Sequence, residues 1–151
     1  MKIINLIKQI CIESQKLKSK YIKENNLVAD WVCIFSQDDM QYSDLLTQAS
    51  RIGKQIEGTD SGLVFKLTAK INTQLGIPKV LKIRRPDITR PELGDVDLTT
   101  DYNKFKKKYM TNDHFKLIVR EKFEMIELMD SGFNTRLYFS SIPPSKLRGI
   151  K

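Results

Sequence analysis

The chain has 151 residues, with 26 lysines and arginines against 18 acids and a formal charge of +8. That length fits one domain able to bury about two thirds of its unfolded surface, so folding requires neither a metal nor a disulfide. The charge favours anionic partners. No apolar run approaches the roughly twenty residues of a membrane span, and Asn5, Lys8, Gln9 and Glu13 break up the first one before it can serve as a signal-peptide core.

In chain order, Ile3, Ile7, Ile10, Leu17 and Tyr21 recur at helical spacing, which predicts an amphipathic helix over residues 2 to 24, ended by Asn25 and Asn26. Its apolar face would cover an open sheet or pair with a second copy of itself. Residues 28 to 35, VADWVCIF, form a nearly continuous apolar run, the mark of a strand buried on both faces. Asp30 inside that run needs a partner or a cavity, or else marks an exposed strand start. Ser36 is a candidate cap for a helix over residues 40 to 52, with Asp38 and Asp39 near its positive end and Gly53 closing it. A turn at residues 59 to 62 leads to a strand at 63 to 67 and a connection or short edge segment over 68 to 78. Cys11 and Cys33 lack CxxC spacing and read as buried, reduced thiols of a soluble cytoplasmic protein.

The central stretch, KVLKIRRPDITRPELGDVDLTT, holds one strand at 80 to 84 and another at 95 to 99. Pro86 and Pro91 cannot donate to a ladder, so residues 85 to 93 form an ordered loop. In the second strand Asp95 and Asp97 share one face, and Val96 and Leu98 the other. Beyond it the order repeats: a helix over 101 to 110 capped by Thr100 or Asp101, then strands at 114 to 120, 123 to 129 and 135 to 140, with a turn at Asp130-Ser131-Gly132. Residues 141 to 151, carrying Pro143, Pro144, Lys146, Arg148 and Lys151, read as an extended basic tail. The chain is thus a helix followed by β-α-β-β and β-α-β-β-β, which internal duplication explains most simply.

Two such modules in about 120 residues resemble the glyoxalase/bleomycin-resistance superfamily, the vicinal-oxygen-chelate fold, across residues 28 to 140. The segments Ala29-Asp30-Trp31-Val32, Val64-Phe65-Lys66-Leu67 and Ile126-Glu127-Leu128 are similar to its YecM-like branch. The resemblance implies an α+β domain at 27 to 151. Its two βαβββ-type modules, at about 27 to 85 and 94 to 140, would form a cup-shaped mixed sheet with the helix of residues 1 to 26 packed on it. It also implies a divalent metal held by histidines and glutamates on the first and last strands of each module. Carried onto this chain, those positions fall at Trp31 or Asp30, Lys82, Val96 or Asp97, and Glu127. Only Glu127 keeps the expected type, and the single histidine, His114, lies elsewhere. An indole and an ammonium do not ligate a hard cation, so no metal cofactor is expected. A residual oxygen site from Asp30, Asp97 and Glu127 is the remaining metal reading. Otherwise Lys82 stands where the ion would be, paired with Glu127 or Asp97.

The functional expectation is a cup binding a small polar or anionic molecule through Trp31, Lys66, Lys82 and Arg84, with Arg85 and Arg90 as further anion-binding residues. Asp97 and Glu127 would be the catalytic carboxylates if they face each other. The same charges also suit the ion-paired face of a half-exposed sheet. Two alternatives are a nucleic-acid or protein-binding module using Lys104, Lys106, Lys107 and Lys108, and a divergent metal-dependent lyase, isomerase or dioxygenase. In the first of these, Tyr102, Phe105 and Tyr109 either stack on bases or form the buried stripe of the helix. No triad or phosphate loop is visible, so an enzymatic role stays open, as does the choice between monomer and homodimer.

Overall fold

A computed structural model describes residues 2–151. The elements are α1 (Ile3–Tyr21), β1 (Val28–Phe35), α2 (Asp39–Ile52), β2 (Gly53–Thr59), β3 (Gly62–Leu67), β4 (Val80–Arg84), β5 (Gly94–Thr99), α3 (Tyr102–Tyr109), β6 (Phe115–Val119), β7 (Glu124–Leu128), β8 (Thr135–Ser140) and α4 (Pro144–Leu147). All eight strands join one mixed sheet in the order β2-β3-β4-β1-β5-β8-β7-β6. Each half is a βαβββ module whose first strand runs parallel to its last, β1 with β4 and β5 with β8. The halves meet where β1 and β5 pair antiparallel. The result is the expected α+β cup of two modules preceded by an amphipathic helix.

The seam between the modules depends on a glycine. A Cβ on Gly94 would sit 2.0 Å from the Cys33 carbonyl oxygen, so only a residue without a side chain lets β5 come this close to β1. Towards the other end of the same pairing, β1 carries an irregularity between Ala29 and Trp31, which takes Asp30 out of register with β5.

Helices cover the convex face. Ile7, Ile10 and Leu17 of α1 are fully buried, and the helix packs on β8, β5 and β1, so its apolar stripe is spent covering the sheet. Leu45 and Ala49 bury α2 against the first module. In α3, Phe105 stacks on Phe139 at 4.2 Å between centroids and Tyr109 on Phe115 at 5.4 Å. The α3 aromatics are therefore the core stripe. Its lysines face outward, Lys106 paired with Glu124 at 2.7 Å and Lys108 with Glu24 at 3.1 Å.

Three local expectations change. Gly53–Thr59 is a strand, an edge with mostly exposed side chains, in a stretch between helix and turn to which the sequence pattern assigned no element. The cap of α2 is Asp38, whose side chain accepts the Gln41 amide at 2.7 Å, while the Ser36 hydroxyl is buried without a partner. The C-terminal segment is not an extended tail. Pro144 takes the first turn of α4, where its missing N–H costs nothing, and both Pro144 and Ser145 are buried. The amide and hydroxyl of Ser145 donate to the two Asp30 carboxylate oxygens at 2.8 and 2.5 Å. That contact resolves the Asp30 oddity: the acid is the anchor for the chain's own C-terminal helix. Among the described residues no helix is long and apolar enough to cross a membrane.

Candidate functional site

Because side chains alternate along a strand, one set from every inner strand points into the concave face, where a cavity of about 220 Å³ lies under α4. Its floor is Trp31 and Cys33 from β1 with Asp95 and Asp97 from β5. Lys82 and Arg84 of β4 flank one side, and Tyr138 and Ser140 of β8 the other. Arg90 reaches in from the loop after β4, its Nη1 3.4 Å from the Tyr138 hydroxyl and its guanidinium 5.3 Å from the Phe35 ring centroid. Arg148, the C-cap of α4, lies 5.0 Å over the Trp31 ring and binds Glu57 at 2.7 Å, so the roof is fixed to both the floor and the β2 edge.

Burial governs the acid chemistry of this floor. Loss of hydration pushes the Asp95 carboxyl up to about 7, against the opposing pull of Arg90, the Trp31 indole N–H at 3.2 Å, Lys82 and Arg84. Asp97 is raised well above the usual carboxylate range, again by burial, with Asp30 and Asp95 adding to it and a hydrogen bond from Ser140 opposing. The Cys33 thiol is held high by burial and by Asp95, which keeps it neutral and poorly nucleophilic. Lys82 is pulled down by desolvation, and its ammonium donates to Ser61 Oγ at 2.5 Å.

A rigid frame stands behind the cavity. Arg136 of β8 makes a two-pronged contact with Glu92, Nε to Oε2 at 2.7 Å and Nη2 to Oε1 at 2.9 Å, and also donates to the Thr89 carbonyl at 2.8 Å. The geometry is the bidentate one that makes arginine–carboxylate pairs directional. It staples the loop carrying Arg90 to the sheet.

No family model matches the chain, and no curated protein matches it. A solved structure described as structural genomics protein EC4020 does. It is similar with a TM-score of 0.75 at 10% identity, over 97% of this chain and 90% of that one. At that identity the likeness establishes the shared fold and nothing about chemistry.

Of the residues singled out from sequence, Trp31, Lys82, Arg84, Arg90, Asp97 and Glu127 line the cavity together. Lys66 and Arg85 do not. Lys66 is exposed on β3 opposite Lys54 and Val80, and Arg85 is exposed with its guanidinium 5.1 Å from the Tyr42 ring centroid. Lys82 makes no ion pair with Glu127 or Asp97 among the described residues; Ser61 is its partner instead. Nor do Asp97 and Glu127 form a carboxylate pair. Asp97 accepts from Ser140, whereas Glu127 accepts from the Tyr138 hydroxyl at 2.6 Å and lies 3.9 Å from Arg136 Nη1.

The donor set does not suit the divalent ion implied by the resemblance. Glu127 sits on β7, the third strand of its module, and the last strand, β8, presents Tyr138 at the corresponding level beside Asp97. Lys82 and the Trp31 indole are hydrogen-bond donors, and Asp30 is held by Ser145. Among the described residues no three His, Cys, Asp or Glu side chains are grouped to hold a metal. Sequence reasoning missed Asp95, Tyr138, Ser140 and the α4 roof. The alternation that marked Asp97 applies equally to Asp95, so the signal for that residue was present.

Proposed function

We propose that the cup binds a small, negatively charged polar molecule, in a divergent member of the glyoxalase/bleomycin-resistance superfamily. The two βαβββ modules joined at the β1–β5 seam support the family reading. One observation carries the ligand reading: the cations of the cavity are incompletely partnered. Lys82 has only a neutral hydroxyl. Arg84 has a buried Nε with no hydrogen-bond partner among the described residues, and it shares Asp87 with Arg90 at distances of 3.6 and 3.8 Å. Buried donors without acceptors are costly unless a ligand supplies the acceptor. A carboxylate or phosphate oxygen at this spot would accept from all three side chains. Asp95, raised to about 7, puts a proton-exchanging group on the same floor, within the range useful for acid–base work near neutrality. We take the setting to be cytoplasmic, a reading supported by the two free, buried cysteines.

Thermal unfolding in the presence of phosphate, acetate, lactate and citrate tests the reading. An anion at one hundred times its Kd stabilises by about 2.7 kcal/mol through mass action. For a chain of this length that raises Tm by roughly 5–10 °C. The expected result is a shift in the wild type that Lys82→Met removes. Silence with every anion, or an equal shift in Lys82→Met, would overturn the reading.

A further inference from the structure

Resting on that reading, the geometry points to the chemical class of the ligand: a small monocarboxylate with a branched aliphatic or aromatic body, its head on the β4 side and its body against β6, β7 and α4. The cavity has two unlike halves. Lys82, Arg84 and Arg90 all act on the same two floor groups, Asp95 and Cys33, so their charges converge on one point. The opposite end of the sheet, β7 and β6, contributes Met125 and Ile118, which face each other across the strand pair. Phe123 from the turn between them and Leu147 from α4 complete an apolar wall.

Charge sets the direction of binding. Glu127 stands on the β7 side and repels an anionic head there, where the exposed Arg120 is the lining cation, while Lys82, Arg84 and Arg90 gather on the β4 side and attract it. Charge also sets valence. Of the three cations that meet there, Asp87 offsets one and Asp95, when ionised, offsets a second, while Arg148 is committed to Glu57, so the uncompensated positive charge at the head position is close to that of a single cation. One negative charge balances it; a di- or trianion would bring an unmatched charge into a desolvated site. The size is bounded as well, because about 220 Å³ is below the roughly 300–1,000 Å³ of pockets for drug-sized ligands. A ligand with an apolar body would cover the half-buried Ile118, Phe123 and Met125, whereas a fully polar one would leave them facing water.

The experiment is a calorimetric titration with acetate, 3-methylbutanoate, 3-phenylpropanoate and citrate, on the wild type, Lys82→Met and Met125→Gln. Each methylene fully buried on the apolar wall tightens binding about fourfold. The expected affinity therefore rises at least about tenfold from acetate to 3-phenylpropanoate, with citrate weakest. Lys82→Met weakens every monocarboxylate, and Met125→Gln flattens the ladder. Acetate and citrate binding as tightly as 3-phenylpropanoate would overturn the ligand class while leaving the anion site standing. Absence of binding by all four would overturn the anion site itself, and this inference with it. The ladder in the wild type decides the matter even if Met125→Gln fails to fold.

Discussion

Replacing Asp95 by asparagine should stabilise the protein by an amount that grows with pH. Asp95 is buried at the centre of the sheet, and its carboxyl is raised from the ordinary 3.8 to about 7 by loss of hydration. A carboxyl with a native pKa above its unfolded value holds more protons in the native state across the interval between them. Stability therefore falls as pH rises from about 4 to about 7, and the full penalty is present above that. A rise from 3.8 to about 7 corresponds to about 4 kcal/mol. Asparagine is nearly isosteric, stays neutral and can still accept the Trp31 indole N–H. Urea unfolding of wild type and Asp95→Asn at several pH values from about 4 to about 8 reads the difference directly. The two proteins should be nearly equal at about pH 4, with the variant ahead by up to about 4 kcal/mol at about pH 8. A difference that is flat with pH would show that Asp95 ionises as it does in water, and one that favours the wild type more as pH rises would show that folding favours its charged form; either would refute the burial argument.

The frame of the cup is open to test at three points. Ser145→Ala removes a hydrogen bond from the buried Asp30 carboxylate, so α4 should loosen by about 1–3 kcal/mol and trypsin should cut sooner after Lys146 and Arg148; an unchanged cleavage rate would deny the anchor. Glu92→Gln leaves Arg136 with only the more distant Glu127 carboxylate, at 3.9 Å, in a site where the Arg136 and Glu92 side chains are about 90% buried. Chemical denaturation should therefore show a loss of about 3 kcal/mol or more, and a loss below about 1 kcal/mol would mean the pair is solvent-screened. Gly94→Ala places a Cβ 2.0 Å from the Cys33 carbonyl oxygen, so β1 and β5 must part. A loss of several kcal/mol or failure to fold is expected, and a melting temperature close to that of the wild type would contradict so tight an approach of the two strands.

Much of the architecture was legible because the inner strands and two of the long helices carry strong patterns. VADWVCIF reads as a doubly buried strand and is one, flanked by β4 and β5. The internal repeat likewise appears as two modules with matching pairing. Where the sequence was silent, the physics is weak or non-local. The β2 segment GKQIEGT lies at an edge and is mostly exposed, so it lacks the alternation that burial imposes on a strand. In α4, PSKL is too short to show a period and forms because Asp30, far earlier in the chain, receives its first turn. The site shows the same division. Alternation correctly brought Trp31, Lys82, Arg84 and Asp97 to one face, but parity alone could not separate the cavity from the rim, which is where Lys66 lies. The partners of Lys82 and Glu127, Ser61 and Tyr138, depend on sheet curvature and side-chain reach that no linear pattern encodes. Assigning Glu127 to a last strand failed because it is the strand after it, the one read at 135 to 140, that closes the module by lying next to β5.

Trp31 is the chain's single tryptophan, and its indole sits on the cavity floor, bonded to Asp95 and covered by Arg148. Its fluorescence thus reports on the cup alone. Whether the cup is an anion site is therefore decided by titrating 3-phenylpropanoate and phosphate into the wild type and into Lys82→Met while following Trp31 emission. If the Lys82 ammonium holds the anion, the wild type shows a saturable change that Lys82→Met loses. An emission spectrum indifferent to both anions, or a change that persists undiminished without that ammonium, would rule the anion site out.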